Sequence, residues 1–382
     1  MKFTSFRTVI GAAFLSSAVV ANTPDLCTAD IEGLRQLRPS ECDPTGRVGP
    51  DIQVGSTIYN NDEAHFVIGS PRVGGKKREG FNGSINVYLP GTTDWPALSS
   101  CLLQAVASNG VPTIGLTYGY LSRGDGFRNT RCASLPSTDD VVECLTEQHN
   151  DAIYGGTYGA DRTYNDAEFW KPVDARDSIA GRLGLLLAEL DSLYPDEGWD
   201  RFYKAGGAYP DSLPMPKWGK ITFSGHSQGA GHAAYLAATR LVHGAVLISG
   251  PQDECEGCPE GTKFWIDDTF LSTKITAFAH GDSTETFLEP TLPLMKDNWS
   301  RMGTWPAPLQ VQNVDSYINY DVCKAPIVSS LEPSSTSPCG RKGHCATALD
   351  DSSPVLSNTA GDNVYIYGID VWANVANVDQ CY

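Results

Sequence analysis

The stretch from Lys220 to Arg240 constrains the fold more than any other part of the chain. Ile221-Thr-Phe223 reads as a short buried strand, and Gly229 to Thr239 as a helix rich in alanine and other small residues. Between them stands Gly225-His-Ser227-Gln-Gly229, a Gly-x-Ser-x-Gly pattern. A strand passes into a helix over so few residues only through a tight corner. A Cβ two positions before or after the serine would collide across it. Such a corner lifts the serine hydroxyl over the sheet edge and aims the helix's first N–H groups at the same spot. An ordinary strand–turn–helix with an exposed serine is the competing reading, and the flanking strand and helix favour the first.

The rest of the chain alternates strand and helix. His65-Phe-Val-Ile68 and Ile85-Asn-Val-Tyr-Leu89 are strand candidates joined by a Gly-rich turn. A helix is expected from Pro96 to Ser108, and a strand over Val111 to Thr117. Ile179, Leu183, Leu186, Leu190 and Leu193 line one continuous helical face that Pro195 stops. Ala245-Val-Leu-Ile248 and Ile275-Thr-Ala-Phe-Ala279 are apolar without alternation, as strands covered on both faces should be. Ala325 to Ser329 reads as the last strand and Tyr365 to Val378 as a terminal helix. The expected architecture is α/β: a doubly wound, mostly parallel sheet with helices on both faces. Three regions depart from the alternation. Residues 1–21 carry an early positive charge, an apolar run over Val9 to Val20 and a small-residue Val19-Val-Ala21 site, the pattern of a secretory signal peptide. Residues 22–57 form a Cys- and Pro-rich arm, tethered by disulfides, with a helical piece at Asp30 to Leu37. Within the main unit, 58–382, residues 119–172 read as a polar insertion with one helix near Asp139 to His149.

Eleven cysteines suit an oxidising compartment, and their odd number leaves at least one unpaired in a monomer. Cys132 and Cys144 are expected to staple the insertion. Cys255-Glu-Gly-Cys258 follows a strand, so a local disulfide or two unrelated pairings outweigh redox chemistry. No second CxxC or His pair stands at ligand spacing, so neither a metal nor a cofactor is expected. A net charge of −17 argues against nucleic acid and anionic membranes as partners. No segment past the leader approaches the apolar length of a spanning helix, so no stable membrane insertion is expected. The basic cluster Lys76-Lys-Arg78 reads as a solvated hairpin tip. Asn82-Gly-Ser84 and Asn298-Trp-Ser300 are glycosylation sequons that, in a eukaryotic host, would be surface sites.

A serine hydroxyl is a weak nucleophile unless a base removes its proton and a third group orients that base. The corner architecture orders these groups as serine, acid, histidine. Asp282 follows the strand Ile275 to Ala279 by a few residues and is the expected acid, with Glu285 and Asp253 as rivals. A turn aspartate after glycine is the bland reading. Among the histidines, His65 and His149 precede the serine, and His226 points away from its neighbour's hydroxyl. His232 and His243 read as packing or surface groups, and His280 is too near the acid in sequence. His344, in Cys339-Gly-Arg-Lys-Gly-His-Cys345, follows Asp282, and a Cys339–Cys345 bridge would hold its loop. Oxyanion stabilisation needs two backbone N–H donors. Gln228 supplies one, and Pro90-Gly-Thr-Thr93 the other, from Thr92 or its neighbour Thr93. Trp95 and Tyr118 to Tyr120 are placed to line a pocket or simply to pack.

From about Ile58 to Asp370 the chain resembles the α/β-hydrolase superfamily in strand order, serine corner and triad order. The resemblance implies a serine esterase or lipase-like enzyme with Ser227 as nucleophile, His344 as base and Asp282 as acid. It also implies Gln228 and Thr92 as oxyanion donors. The oxyanion loop departs from the His-Gly-Gly-Gly type, and the insertion shows no amphipathic lid helix, which weighs against a true lipase. The expected substrate is a small-molecule or polymeric ester. Peptidase, thioesterase and acyltransferase activities use the same triad, and a silent secreted binding protein is the alternative of another class. A histidine base predicts activity that falls below about pH 6 to 7.

Overall fold

The computed structural model describes residues 33–49, 51–54, 57–92, 94–119, 132–155, 173–206, 212–272, 274–281, 291–315, 321–333, 342–357, 363–365, 367 and 371–381. The leader, Asp282, Glu285 and the Cys339 half of its expected bridge lie outside them.

One sheet organises the molecule. Its strands in chain order are β1 (Leu34–Leu37), β2 (His65–Ile68), β3 (Ile85–Leu89), β4 (Thr113–Gly115), β5 (Ile221–His226), β6 (Gly244–Ile248), β7 (Ile275–His280), β8 (Gln312–Asn313) and β9 (Ile327–Ser329). Their order across the sheet is β1-β2-β4-β3-β5-β6-β7-β9-β8. β2 runs antiparallel to both of its neighbours, and every other pairing is parallel. β2 and β3 are therefore not hairpin partners. β4 lies between them, and the Gly-rich connection carries its own small hairpin, Arg72–Val73 with Lys76–Lys77, whose lysines are exposed.

The apolar runs were legible because both faces of the sheet are covered. Along β6, Ala245 and Leu247 face one core while Val246 and Ile248 face another; along β7, Ala277 and Ala279 oppose Phe278 in the same way. The first core is closed by α2 (Thr138–Tyr154), α3 (Ile179–Leu193) and α4 (Gln228–Thr239). The second is closed by α1 (Ser100–Ser108) and by Val371, Trp372, Val375 and Val378 near the chain end. α3 starts where Ser178 accepts a hydrogen bond from Gly181 N at 3.1 Å, and α2 where Ser137 accepts from Asp140 N at 3.2 Å. α5 (Thr291–Arg301) and the short α6 (Lys342–Ala346) complete the helices used below.

Several expectations need correction. The described part of the Asp30 to Leu37 stretch is a strand, not a helix; it pairs with β2, and a single helical turn follows at Pro39–Cys42. Cys42 is buried and free, so it tethers nothing, and burial pushes its thiol up to about 12. Among the described residues of the terminal segment, a π-type turn at Val371 and Trp372 leads into a short α-helix over Ala373–Ala376 and a last turn over Val378–Cys381. Asn363–Tyr365 is a strand paired with Val355–Ser357. Asn298 lies in α5 fully buried, not on the surface. Disulfides join Cys132 to Cys144, Cys255 to Cys258 and Cys323 to Cys381, and Cys101 and Cys345 are disulfide-bonded too. The Cys323–Cys381 bridge, 58 residues apart in sequence, restricts the unfolded chain by about 4 kcal/mol in the loop-closure picture. No described helix is long and apolar enough to cross a membrane.

Candidate active site

Ser227 stands between β5 and α4 with φ 53° and ψ −115°, a conformation that L-residues avoid. Its N–H donates to Ile248 O at 2.9 Å, which anchors the corner to β6. Although it occupies the helix N-cap, its hydroxyl makes no capping bond. The two motif glycines allow the corner to close. A Cβ on Gly225 would lie 2.2 Å from the Gly229 carbonyl, and one on Gly229 would lie 2.0 Å from Leu89 O. The Gln228 N–H, first in α4, belongs to the turn whose donors lack intrahelical acceptors. Both the helix dipole and that free donor favour negative charge beside Ser227.

A mostly parallel sheet whose order crosses over at β4-β3, with a strained serine between β5 and the helix behind it, decides the fold. The chain has the α/β-hydrolase fold. No family model matches the sequence, and no curated protein does. Solved structures with a likeness include dienelactone hydrolase from Anabaena variabilis, at 12% identity and a TM-score of 0.29 over 78% of this chain and 87% of that one. A thermostable carboxylesterase cloned from a metagenomic library gives 10%, 0.28, 86% and 87% in the same order. The siderophore hydrolase EstB from Aspergillus nidulans gives 13%, 0.27, 73% and 80%. At these scores the strand order and the serine corner carry the assignment by themselves.

This α/β-hydrolase-fold protein fastens Thr92 to Gln228 beside Ser227 and packs the His344 ring on that of His226. The loop after β3 reaches Ser227: a methyl placed on Gly91 would stand 3.2 Å from Ser227 Cβ. The Thr92 hydroxyl donates to Gln228 Oε1 at 2.6 Å, and the buried Tyr118 hydroxyl holds Pro90 O at 2.8 Å. Tyr118 thus fixes the base of this loop. His344 sits in α6, 5% exposed, with its ring centroid 4.6 Å from that of His226, the residue before the serine. His226 Nε2 donates to His344 O at 3.0 Å, and Thr347 Oγ1 donates to the same carbonyl at 2.8 Å. The backbone of His344 is therefore pinned from two sides. Its Nδ1 lies 3.5 Å from Gln252 Nε2, on the loop that leaves β6. On the far side, His226 Nδ1 lies 3.5 Å from Asp94 Oδ2. Asp282 and its rival Glu285 fall outside the described residues, as do Thr93 and Tyr120. The segment leading to Asp282 is ordered by Gly281 N donating to Ser329 O at 2.6 Å, beyond the end of β7.

The rival acid Asp253 is engaged elsewhere. Its Oδ1 meets His149 Nε2 at 3.0 Å, His149 Nδ1 meets His232 Nδ1 at 3.0 Å, and His232 Nε2 meets Gln228 Nε2 at 3.3 Å. Both rings are fully buried. Sequence reasoning set His149 aside for preceding the serine and read His232 as packing or surface. No local sequence signal marked this line; in the fold Gly231 makes room for it, since a Cβ there would come within 3.0 Å of Asp253 Oδ2 and 3.3 Å of His149 Cε1. Among the described residues no cluster of histidine, cysteine or carboxylate side chains is arranged to hold a metal ion.

Proposed function

We propose that this protein is a secreted serine hydrolase that cleaves carboxylic esters. The observation that carries the reading is the Ser227 corner. The residue is held in a costly backbone conformation, its hydroxyl is not spent on capping the helix, and the Pro90–Thr92 loop packs against it. In the proposed reaction, Ser227 Oγ attacks the acyl carbon while the His344 imidazole takes the hydroxyl proton. Asp282 orients that ring and stabilises its cation. The backbone N–H groups of Gln228 and Thr92 receive the oxyanion. The imidazolium then protonates the departing alcohol, and a water activated by the same base releases the acid from Ser227. Support for His344 comes from its packing on His226, the residue before the serine, and from its doubly held carbonyl. Support for Asp282 comes from its place two residues beyond β7 and from the engagement of Asp253 with His149. The disulfides and the leader-like start of the sequence support export.

The test is labelling of the folded, disulfide-intact protein with a fluorophosphonate, followed by peptide mass spectrometry, with Ser227→Ala alongside. Adduct confined to Ser227 and absent from the variant is the expected result. An unlabelled wild-type protein would overturn the reading.

A further inference from the structure

The line of side chains from Asp253 to Thr92 has a defined polarity. A carboxylate only accepts, so His149 Nε2 must carry the proton that faces Asp253 Oδ1 at 3.0 Å. In the neutral ring His149 Nδ1 is then an acceptor, and it faces His232 Nδ1 at 3.0 Å, which must donate. His232 Nε2 is left with its lone pair towards the Gln228 amide nitrogen at 3.3 Å. That nitrogen donates, which turns Gln228 Oε1 to the Thr92 hydroxyl at 2.6 Å. With His149 neutral and the Gln228 amide turned this way, each link sets the sense of the next, and the four links end on the loop that packs against Ser227.

The surroundings keep the line in place. His149 stacks on Tyr235 with 4.8 Å between centroids and meets Trp265 edge-on at 5.0 Å, while Tyr118 stands edge-on to His232 at 5.8 Å. The Asn298 amide donates to Pro251 O at 3.1 Å and to Asp253 O at 2.9 Å, so the anchoring carboxylate rides on a fixed backbone. Both imidazoles are fully buried, and their ring nitrogens face Asp253, each other and Gln228, so they act through the Gln228 side chain rather than on the reacting atoms.

We propose that His149 and His232, anchored by Asp253, are positioning residues that set the Gln228 amide and, through it, hold the Thr92 loop in register with Ser227. Taken as a device of the oxyanion site, this rests on the serine-hydrolase reading; as a hydrogen-bonded relay it does not. Holding the loop by a buried polar line keeps the Thr92 N–H aimed before a ligand arrives, which is how fixed dipoles stabilise a transition state without reorganising.

Two measurements test it. In wild-type protein with nitrogen-15 histidine, magnetic resonance near neutral pH should find His149 neutral with its proton on Nε2 and His232 neutral with its proton on Nδ1. A proton on His232 Nε2, or a His149 imidazolium, reverses the outer links and overturns the proposal. The second is a double-mutant cycle on the fluorophosphonate labelling rate of Ser227, using His149→Phe, Thr92→Val and both. Phenylalanine keeps the ring stack without nitrogens, and valine keeps the backbone N–H without the hydroxyl. Each single variant should slow labelling about threefold to tenfold, the loss expected for one hydrogen bond. The double variant should be no slower than the slower single variant. Losses that multiply, or a His149→Phe protein that labels at the wild-type rate, would sink the relay. If wild type is not labelled at all, the function reading has failed, and the relay is judged by resonance alone. His149→Phe must then shift the Gln228 side-chain amide, and an unmoved amide rejects the relay.

Discussion

Thr92 Oγ1 donates to Gln228 Oε1 at 2.6 Å, joining the loop that leaves β3 to the first residue of α4 across 136 residues of sequence. The two segments that supply the proposed oxyanion donors are thus fastened to each other. Ser227, between them in space, makes no capping bond with its side chain. The surroundings of the serine are committed while its hydroxyl is not, which suits a nucleophile better than a structural serine.

The Ser227 backbone should make this trade measurable. A non-glycine residue at φ 53° and ψ −115° costs about 1 to 3 kcal/mol. Glycine removes that strain but adds about 0.5 to 1 kcal/mol of unfolded-state entropy. Ser227→Gly is therefore expected to be about 1 kcal/mol more stable than wild type in urea unfolding, and to take no fluorophosphonate label. A variant less stable than wild type would mean that the corner is not strained.

Gly229→Ala sets two effects against each other. Alanine favours the helix interior by up to about 1 kcal/mol, but here its Cβ would lie 2.0 Å from Leu89 O and 2.8 Å from Pro90 O. Backbone atoms cannot swing aside as a side-chain tip can, so the overlap should cost about 3 kcal/mol and win. The expected outcome is a destabilised protein whose Ser227 also labels slowly, because β3 and the Pro90 loop are pushed off α4. Unchanged stability by denaturant unfolding would reject this packing.

What the sequence made legible follows from these same contacts. The Gly225 and Gly229 spacing is a steric necessity, and strands such as β6 and β7 bury both faces, so each left a local signature. β1 did not. Leu34 and Leu37 stand three apart like one helical face, and only the distant partner β2 makes Leu34–Leu37 a strand. The Asp253–His149–His232 line was hidden for a related reason. His149 and Asp253 are 104 residues apart, and a histidine in a helix reads alike whether it packs or pairs. The serine corner is local chemistry; the Asp253–His149–His232 line is tertiary.

Asp350 should give an unusual pH signature. Burial pushes its carboxyl up to about 7, and Asp351 adds to this, although Ser100 Oγ at 2.6 Å and Cys101 N at 3.1 Å donate to it and pull the other way. A folded-state value above the ordinary carboxylate value means that the fold takes up a proton the unfolded chain has released. This contribution is therefore fully present at or below about pH 4 and is lost as pH rises through 7. Wild type should lose stability relative to Asp350→Asn by on the order of 2 kcal/mol between pH 5 and pH 8. A stability difference that stays constant, or widens in favour of wild type with rising pH, would show Asp350 ionised in the fold.

The two sequons should part company in a eukaryotic host. Asn82 is exposed, whereas Asn298 is fully buried and its amide nitrogen donates to Pro251 O at 3.1 Å and Asp253 O at 2.9 Å. A glycan on that nitrogen would have to displace α5 from the loop after β6, and a buried amide deprived of both acceptors costs about 1 to 3 kcal/mol before any clash is counted. Glycopeptide mapping of folded, secreted protein should find glycan at Asn82 and an unmodified Asn298. Asn298→Ala should be destabilised by about 2 kcal/mol, since it leaves two buried carbonyls without their donor. It should also label more slowly at Ser227 if Asp253 anchors the Thr92 loop, because the backbone that carries the anchor is then released. Full glycan occupancy at Asn298 in folded protein would mean that α5 does not pack on the 251–253 loop, and the fixed anchor of the relay would go with it.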